Sequence, residues 1–327
     1  MLTRSNPSGV EACLFRMPAR GGRAIWQITN RCNYRCPYCI FGSGAGNSAS
    51  ELSCAEALRV LHELRQWGCC ALKITGGEPL MRRDILEIAQ RAAGFGWEVD
   101  ISTNAALITP ALAGRIAGAG LAMMHVSLDG PDAAAHEAAR GRGTFLPTVR
   151  GLNALVAAGV RVRIGCVIFR ETETRLEEMV RYSCSQGAAE IVFSLMEPAG
   201  RLPVTSPLLA ARPLTSTAAE IEALAEAFQG RIAVHHNLRA AGCNGCGAGC
   251  PGGRRFLFID SLGRMAPCTW VAERMPRYRS RDTLKHRTLR EILASPPLRT
   301  YSQMCAAAGG APHAARARIT PMLSTPC

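Results

Sequence analysis

The chain has 327 residues, 48% of them hydrophobic, and a formal charge of +13 with His neutral. That length suits one large domain with a small appendage, and the apolar content suffices for a packed core. No run of about 18 uncharged apolar residues occurs, so no membrane-spanning helix is expected. The basic balance suits an acidic peptide, a phosphorylated substrate or nucleic acid. No recognition-helix or RNP-type motif accompanies it, so nucleic acid is not an expected partner. Between Arg254 and Arg290 ten Lys/Arg face three Asp/Glu, so more than half of the excess charge sits in the C-terminal part.

Residues 1–22 carry no continuous apolar segment of the signal-peptide kind and read as a poorly ordered leader. Fifteen cysteines, seven of them clustered, without an export signal point to metal binding in a reducing cytoplasm rather than to disulfides. The first strand is expected over Ala24–Thr29. Directly after it come Cys32, Cys36 and Cys39 at C-x3-C-x2-C spacing, with Tyr38 just before the third. Three thiolates that close can converge on one inorganic centre from a single loop. A fourth would complete a tetrahedral or fully ligated site; three leave one position open for a substrate. A glycine-rich link, Gly42–Ser48, leads to Ser53-Cys54-Ala55-Glu56, a capping box before the apolar repeat Leu58, Leu61, Leu64, Trp67.

The second strand is Ala71–Thr75, ending in Gly76-Gly77-Glu78-Pro79, where paired glycines let backbone approach a ligand. A helix over about 83–93 and a strand Trp97–Ser102 follow. Thr109-Pro110 opens a short helix, with the cap and the proline in their preferred places. A strand Leu121–Leu128 ends in Ser127-Leu128-Asp129-Gly130. Then come a helix over Thr144–Ala158, a strand Val160–Ile168, a helix Thr174–Cys184 and a sixth strand Glu190–Leu195. Six strand–helix alternations imply a parallel α/β sheet, open or curved into a partial barrel. Glu197–Pro213 reads as a linker, and Thr217-Ala218-Ala219-Glu220 as the cap of a helix bearing Ile221, Leu224 and Phe228. Cys243, Cys246, Cys250 and Cys268 then form a second cluster at C-x2-C-x3-C-x12-G-x4-C spacing, with Gly263 as its glycine. Four such cysteines suit either a zinc ribbon or an iron–sulfur centre.

The loop Cys32–Cys39, with its aromatic Tyr38, and the Gly76–Pro79 string at that distance resemble the signature of the radical S-adenosylmethionine (SAM) superfamily. The resemblance extends over roughly 23–195. It implies a partial (β/α)6 barrel with a small C-terminal cysteine-rich cluster-binding extension. Cys32, Cys36 and Cys39 would hold a 4Fe–4S cluster whose fourth iron binds SAM. Tyr38 would pack near the adenine, and Gly76, Gly77, Glu78 and Pro79 would meet the methionine amino group. Ser102 and Ser127 would meet the ribose or carboxylate of SAM, and Arg140, from His136-Glu137-Ala138-Ala139-Arg140, its carboxylate. That pattern stands one residue later, relative to Ser127, than the family's usual spacing.

The second cluster resembles the opening of SPASM and twitch extensions, which implies one auxiliary 4Fe–4S cluster on Cys243, Cys246, Cys250 and Cys268. Cys305 and Cys327 lack the pattern of a second. The implied divisions are a leader 1–22, a radical SAM core 23–200, a linker and helix 201–235, a SPASM/twitch-like auxiliary domain 236–305 and a flexible tail 306–327. The expected activity is reductive cleavage of SAM to a 5′-deoxyadenosyl radical that takes a hydrogen from a peptide or natural-product substrate, with the auxiliary cluster as electron acceptor. A dehydrogenase or epimerase of a sugar or aminocyclitol is the alternative; a zinc-bound interaction module with a basic surface is the non-enzymatic one. A three-cysteine auxiliary site at C-x2-C-x13-C, as in the molybdopterin-precursor cyclase, is not reproduced. Expected partners are a reductant such as flavodoxin or ferredoxin and a separate peptide-recognition protein, since the leader is too short for a fused one. Cys54, Cys69, Cys70, Cys166 and Cys184 read as core thiols, or one of them as a hydrogen-atom donor.

Overall fold

Gly22–Gln27 forms β1, a strand buried at every residue. Its alternate residues Ala24 and Trp26 belong to the large apolar core, while Ile25 belongs to a separate cluster on the other face. This is the two-sided burial that a parallel strand requires. The computed structural model describes residues 21–46, 50–238 and 250–307. Cys13 and Cys327 lie outside them.

The elements after β1 are α1 (Cys54–Gln66), β2 (Cys69–Thr75), α2 (Ile85–Ala93), β3 (Glu98–Thr103), α3 (Pro110–Ala117), β4 (Met123–Ser127), α4 (Ala133–Arg140), α5 (Phe145–Ala157), β5 (Val162–Ile168), α6 (Leu176–Ser185) and β6 (Glu190–Leu195). They continue as α7 (Leu214–Ala227), β7 (Ala233–His236), β8 (Phe256–Ile259), β9 (Met265–Ala266), α8 (Thr269–Arg274), α9 (Leu289–Ala294) and α10 (Pro296–Ala307). The strands make one sheet in the order β7-β6-β5-β4-β3-β2-β1-β8-β9. Every pairing from β7 through β8 is parallel; only β9 runs antiparallel, against β8. The expected α/β sheet of the partial-barrel type is therefore present.

The capping box predicted before α1 is formed: Ser53 accepts from Glu56 N and Glu56 reaches back to Ser53 N at 2.7 Å. Val60, Leu61 and Leu64 then face the core at 0% exposure. Each such leucine contributes about 1.5–3 kcal/mol of burial. Other expectations needed correction. Helix α7 starts at Leu214 rather than at a Thr217 cap; Thr217 lies inside the helix, and its hydroxyl bonds back to Pro213 O at 3.1 Å. Helix α2 starts at Ile85, not 83, because Arg82 holds Asp84 in a two-point ion pair. Helix α4, unforeseen, is capped by Asp132, which accepts from Ala135 N at 2.9 Å. Its buried face is Ala135, His136 and Ala139, too small and mixed to show as an apolar stripe. A seventh parallel strand, β7, stands where a linker and helix were expected.

The C-terminal segment joins the sheet directly, since β8 pairs with β1 over Arg23–Trp26. Gly263, the glycine of the cysteine spacing, turns β8 into β9 at φ +80°, a conformation that favours glycine. Asp260 ties that turn by accepting from Leu262 N and Arg264 N.

Candidate active site

Parallel α/β sheets carry their chemistry where the strands end. Here the loop after β1 holds Cys32, Cys36 and Cys39, all partly exposed. The loop is built by short-range bonds: Cys32 N donates to Gly44 O at 2.7 Å and Cys39 N to Cys36 O at 3.2 Å. Thr29 and Asn30, just upstream, both donate to Glu51, at 2.9 and 2.7 Å.

The Gly76–Pro79 loop lies on the backbone of that cysteine loop. Gly77 N donates to Thr29 O at 2.8 Å and Glu78 N to Arg31 O at 2.7 Å. A side chain at Gly76 would come within 2.5 Å of Thr29 O, and one at Gly77 would overlap the Arg31 carbonyl. Both glycines are thus required by loop-on-loop packing. Glu78 is fully buried and accepts from Leu80 N, Thr103 Oγ1 and Asn104 N at 3.1, 2.8 and 2.8 Å. Pro79 follows in the first position of a short 3₁₀ turn. Asn104 in turn donates to Asn33 at 2.8 Å, so the ends of β1, β2 and β3 form one bonded unit.

Burial pushes the Glu78 carboxyl up from 4.5 to about 7, against the three donors that favour its charged form. A group whose pKa rises on folding contributes stability fully below the unfolded pKa and loses it as pH rises through the folded one. Glu78→Gln, which cannot titrate, should therefore flatten the stability–pH curve between pH 4.5 and about 7. Denaturant midpoints across that window check it; an unaltered slope would refute the assignment.

Asp129, fully buried after β4, is a second node. Its Oδ2 accepts from Arg140 Nε at 2.7 Å and from the Tyr38 hydroxyl, and its Oδ1 accepts from Val167 N at 2.9 Å. The Arg140 guanidinium carbon lies 5.5 Å from the centre of the Tyr38 ring. Tyr38 is therefore pinned at its hydroxyl and stacked under a cation, and Arg140 is buried and paired. Asp129 N is also held, at 3.2 Å, by His136 Nδ1. Ser127 ends β4 and Ser102 stands one residue before the end of β3, both half-exposed.

One contact set was not anticipated from the sequence. Arg201, in the stretch read as a linker, donates to Cys36 O at 3.0 Å and to Gly42 O at 2.6 Å, and also reaches Ser43 O. Its own N–H bonds Cys39 O at 3.2 Å. A side chain on Gly200 would overlap Cys39 O and Ile40 O. The segment after β6 thus clamps the cysteine loop from behind.

Burial, with smaller contributions from Glu78, Cys36 and Cys39, raises the Cys32 thiol to about 11, and burial raises that of Cys36. Cys32 and Cys36, both disfavoured as thiolates by burial, stand with Cys39 on a loop fixed on two sides and open on the third, which fits a centre that supplies positive charge. In the second cluster, Cys243 and Cys246 lie outside the described residues. Cys250 is buried with Val271, Tyr278, Tyr301 and Cys305, and Cys268 packs against that group. Cys250 Sγ stands 3.7 Å from the Tyr301 hydroxyl. Hydrogen bonding from Cys305 and Tyr301 lowers the Cys250 thiol to about 6. The structure therefore brings Cys305, which spacing left unassigned, beside two predicted ligands. Among the described residues no three His, Cys, Asp or Glu side chains are arranged around a single metal ion. Nor, among them, is any helix long and apolar enough to cross a membrane.

Residues 26–183 match the family model described as the radical SAM superfamily. An AdoMet-dependent heme synthase of Oleidesulfovibrio alaskensis is 28% identical over 272 residues, covering 75% of this chain and 69% of that protein. The mycofactocin maturase MftC of Mycobacterium tuberculosis is 30% identical over 255 residues, covering 75% of this chain and 64% of that one. In fold, the chain is similar to Streptococcus suis SuiB bound to S-adenosylmethionine, with a TM-score of 0.70, 16% identity, and coverage of 85% of this chain and 66% of that one. The chain therefore spans just under two thirds of the length of MftC and of SuiB, at 64% and 66%.

Proposed function

The chain belongs to the radical SAM superfamily and is one of its enzymes, and from that premise we propose that it modifies a peptide or a small natural product by hydrogen abstraction. The observation that carries this is the open three-cysteine loop, clipped to the Gly76–Pro79 loop at the mouth of a parallel sheet. A 4Fe–4S cluster and SAM, held there by these residues, would supply an electron and a carbon-centred radical able to take a substrate hydrogen.

The chain's own residues have distinct tasks in this reading. Cys32, Cys36 and Cys39 ligate the iron. Gly76, Gly77, Glu78 and Pro79 present backbone and a buried carboxyl to the methionine amino group. Tyr38, fixed by Asp129, meets the adenine. Ser102 and Ser127 offer hydroxyls at the strand ends. The Nη groups of Arg140, whose Nε goes to Asp129, meet the SAM carboxylate. We assign Cys243, Cys246, Cys250 and Cys268 to an auxiliary 4Fe–4S centre that accepts the product electron; the close approach of Cys250 and Cys268 supports this.

A peptide substrate is supported by the name of MftC, a maturase, and by SuiB having been solved with its precursor peptide SuiA. A second reading, a tetrapyrrole substrate, follows from the heme synthase. A separate peptide-recognition protein and a flavodoxin or ferredoxin reductant complete the first reading.

The test is anaerobic reconstitution followed by iron, sulfide and zinc analysis and by 5′-deoxyadenosine formation from SAM under reduction. About eight irons are expected, and about four with no deoxyadenosine when Cys32, Cys36 and Cys39 are all changed to Ala. Absence of deoxyadenosine from the wild type, or iron unaltered by the triple change, would overturn the reading. About four irons with one zinc would remove the auxiliary redox role. Precursor-like peptides and porphyrins are then compared for stimulation of deoxyadenosine release.

A further inference from the structure

Of the 38 Lys and Arg residues only two are lysines, Lys73 and Lys285. Arginine supplies almost every positive charge in this chain, and it does not deprotonate in proteins. Lysine loses its proton when buried. Lys73 is 8% exposed, in the middle of β2.

Its side chain points to the inner face of the sheet, opposite the helices. Register places Lys73 beside Ile25 on β1 and Asp100 on β3, with His125 on β4 paired to Arg163 on β5, and Arg163 to Glu190 on β6. Arg23 on β1 lies 4.0 Å from Asp100 and 3.6 Å from Glu98. This polar wall lies one step below Thr75, Ser102 and Ser127, half-exposed at or beside the strand ends of the mouth.

The hydrogen bonds fix the protons. Arg163 Nη1 is 2.8 Å from His125 Nε2, and Lys73 Nζ is 3.2 Å from His125 Nδ1. Arginine only donates, so Nε2 must be the bare, accepting nitrogen. Burial and the cations around it hold His125 neutral, so its single N–H is on Nδ1. That N–H points at Lys73 and needs a lone pair there. An ammonium has none; an amine does. Burial, opposed by Asp100, independently brings Lys73 down from 10.5 to about 8.

We propose that Lys73, whose amine form this hydrogen-bond arrangement favours, is the proton acceptor of the barrel lumen, taking the proton from an HC–XH substrate (X being O or N) as it is oxidised. The X–H bond breaks, its electron pair closes the C=X bond, and the proton joins the Lys73 nitrogen. A SAM-derived radical would take the hydrogen atom, and an iron–sulfur centre would take one electron. The role in turnover rests on the function proposed above; the proton state of Lys73 does not.

The test uses anaerobically reconstituted protein grown with lysine carrying ¹³C at Cε, which gives two signals, one of them removed by Lys285→Arg. The Lys73 signal should titrate with a midpoint near pH 8. Arg163→Met frees the His125 tautomer and should move that midpoint up by a unit or more. A wild-type midpoint at or above 10 overturns the proposal. Reductive methylation by formaldehyde at pH 7.5, read by mass spectrometry, should modify Lys73 as well as Lys285. A Lys73 that titrates near 8 yet resists this small aldehyde is sealed from the lumen and cannot serve a substrate. Neither readout needs turnover, so a chain that forms no deoxyadenosine would fail the functional reading while leaving both results in place.

Discussion

Changing Asp129 to Ala should cost about 3–5 kcal/mol of stability, the range for removing one member of a buried ion pair. The loss follows from what remains. The Arg140 side chain is 11% exposed and Asp129 is its 2.7 Å partner, so the change strands a guanidinium in the interior. The Tyr38 hydroxyl and Val167 N lose their acceptor at the same time. These three donors come from the cysteine loop, α4 and the end of β5, so the damage reaches the site as well as the fold. Asp129→Asn should be nearly as harmful, because its amide would set a further donor against Arg140 and Tyr38. Adding Arg140→Met to Asp129→Asn should recover 2 kcal/mol or more if the stranded charge dominates. Urea midpoints of the four chains decide it; Asp129→Ala within about 1 kcal/mol of wild type would show that water or rearrangement replaces the carboxylate.

How far such nodes can be read from sequence depends on whether a contact is local. The capping box at Ser53, the strand–helix alternation and the cysteine loop each reside in a few consecutive residues, and each was legible. Gly76 and Gly77 were legible as a close approach, but what they approach, the backbone at Thr29 and Arg31, was not. Asp129 stood in plain view after Ser127, yet its partners lie 91, 11 and 38 residues away. Arg201 reaches Cys36 across 165 residues, and no periodicity records that distance. Strand β7 has four residues, two of them His, too few for alternation to show. Cys305 was set aside because its neighbours in sequence carry no ligand pattern; folding brings it to Cys250 through α10. Lys73 is the reverse case. Its rarity in an arginine-rich chain is a sequence fact, but only the tautomer that Arg163 imposes on His125 gives the rarity a meaning.

Changing Gly77 to Ala should strip the first cluster while leaving the rest of the chain folded. Gly77 N and Glu78 N clip the cysteine loop at Thr29 O and Arg31 O, and Cys32 is the next residue after Arg31. A methyl at Gly77 overlaps the Arg31 carbonyl, and both partners are backbone, so no side chain can swing aside. Carbon and oxygen need more than 3 Å, and the two loops must part by about an ångström. Both clips then fail, and Cys32 leaves its place relative to Cys36 and Cys39, which Arg201 still holds at 3.0 and 3.2 Å through their carbonyls. A misplacement of that size near a reacting centre costs on the order of 100-fold in rate. The expected result is loss of at least half of the roughly four irons of this site, with deoxyadenosine formation down by a similar factor of 100. Gly114→Ala is the control: that glycine lies in α3 with nothing within 4 Å of an added methyl, and the change should raise stability by about 0.5–1 kcal/mol through helix propensity. If Gly77→Ala keeps its iron and its rate, the two loops are not a rigid unit, and the cysteine loop must owe its shape to the Arg201 clamp alone.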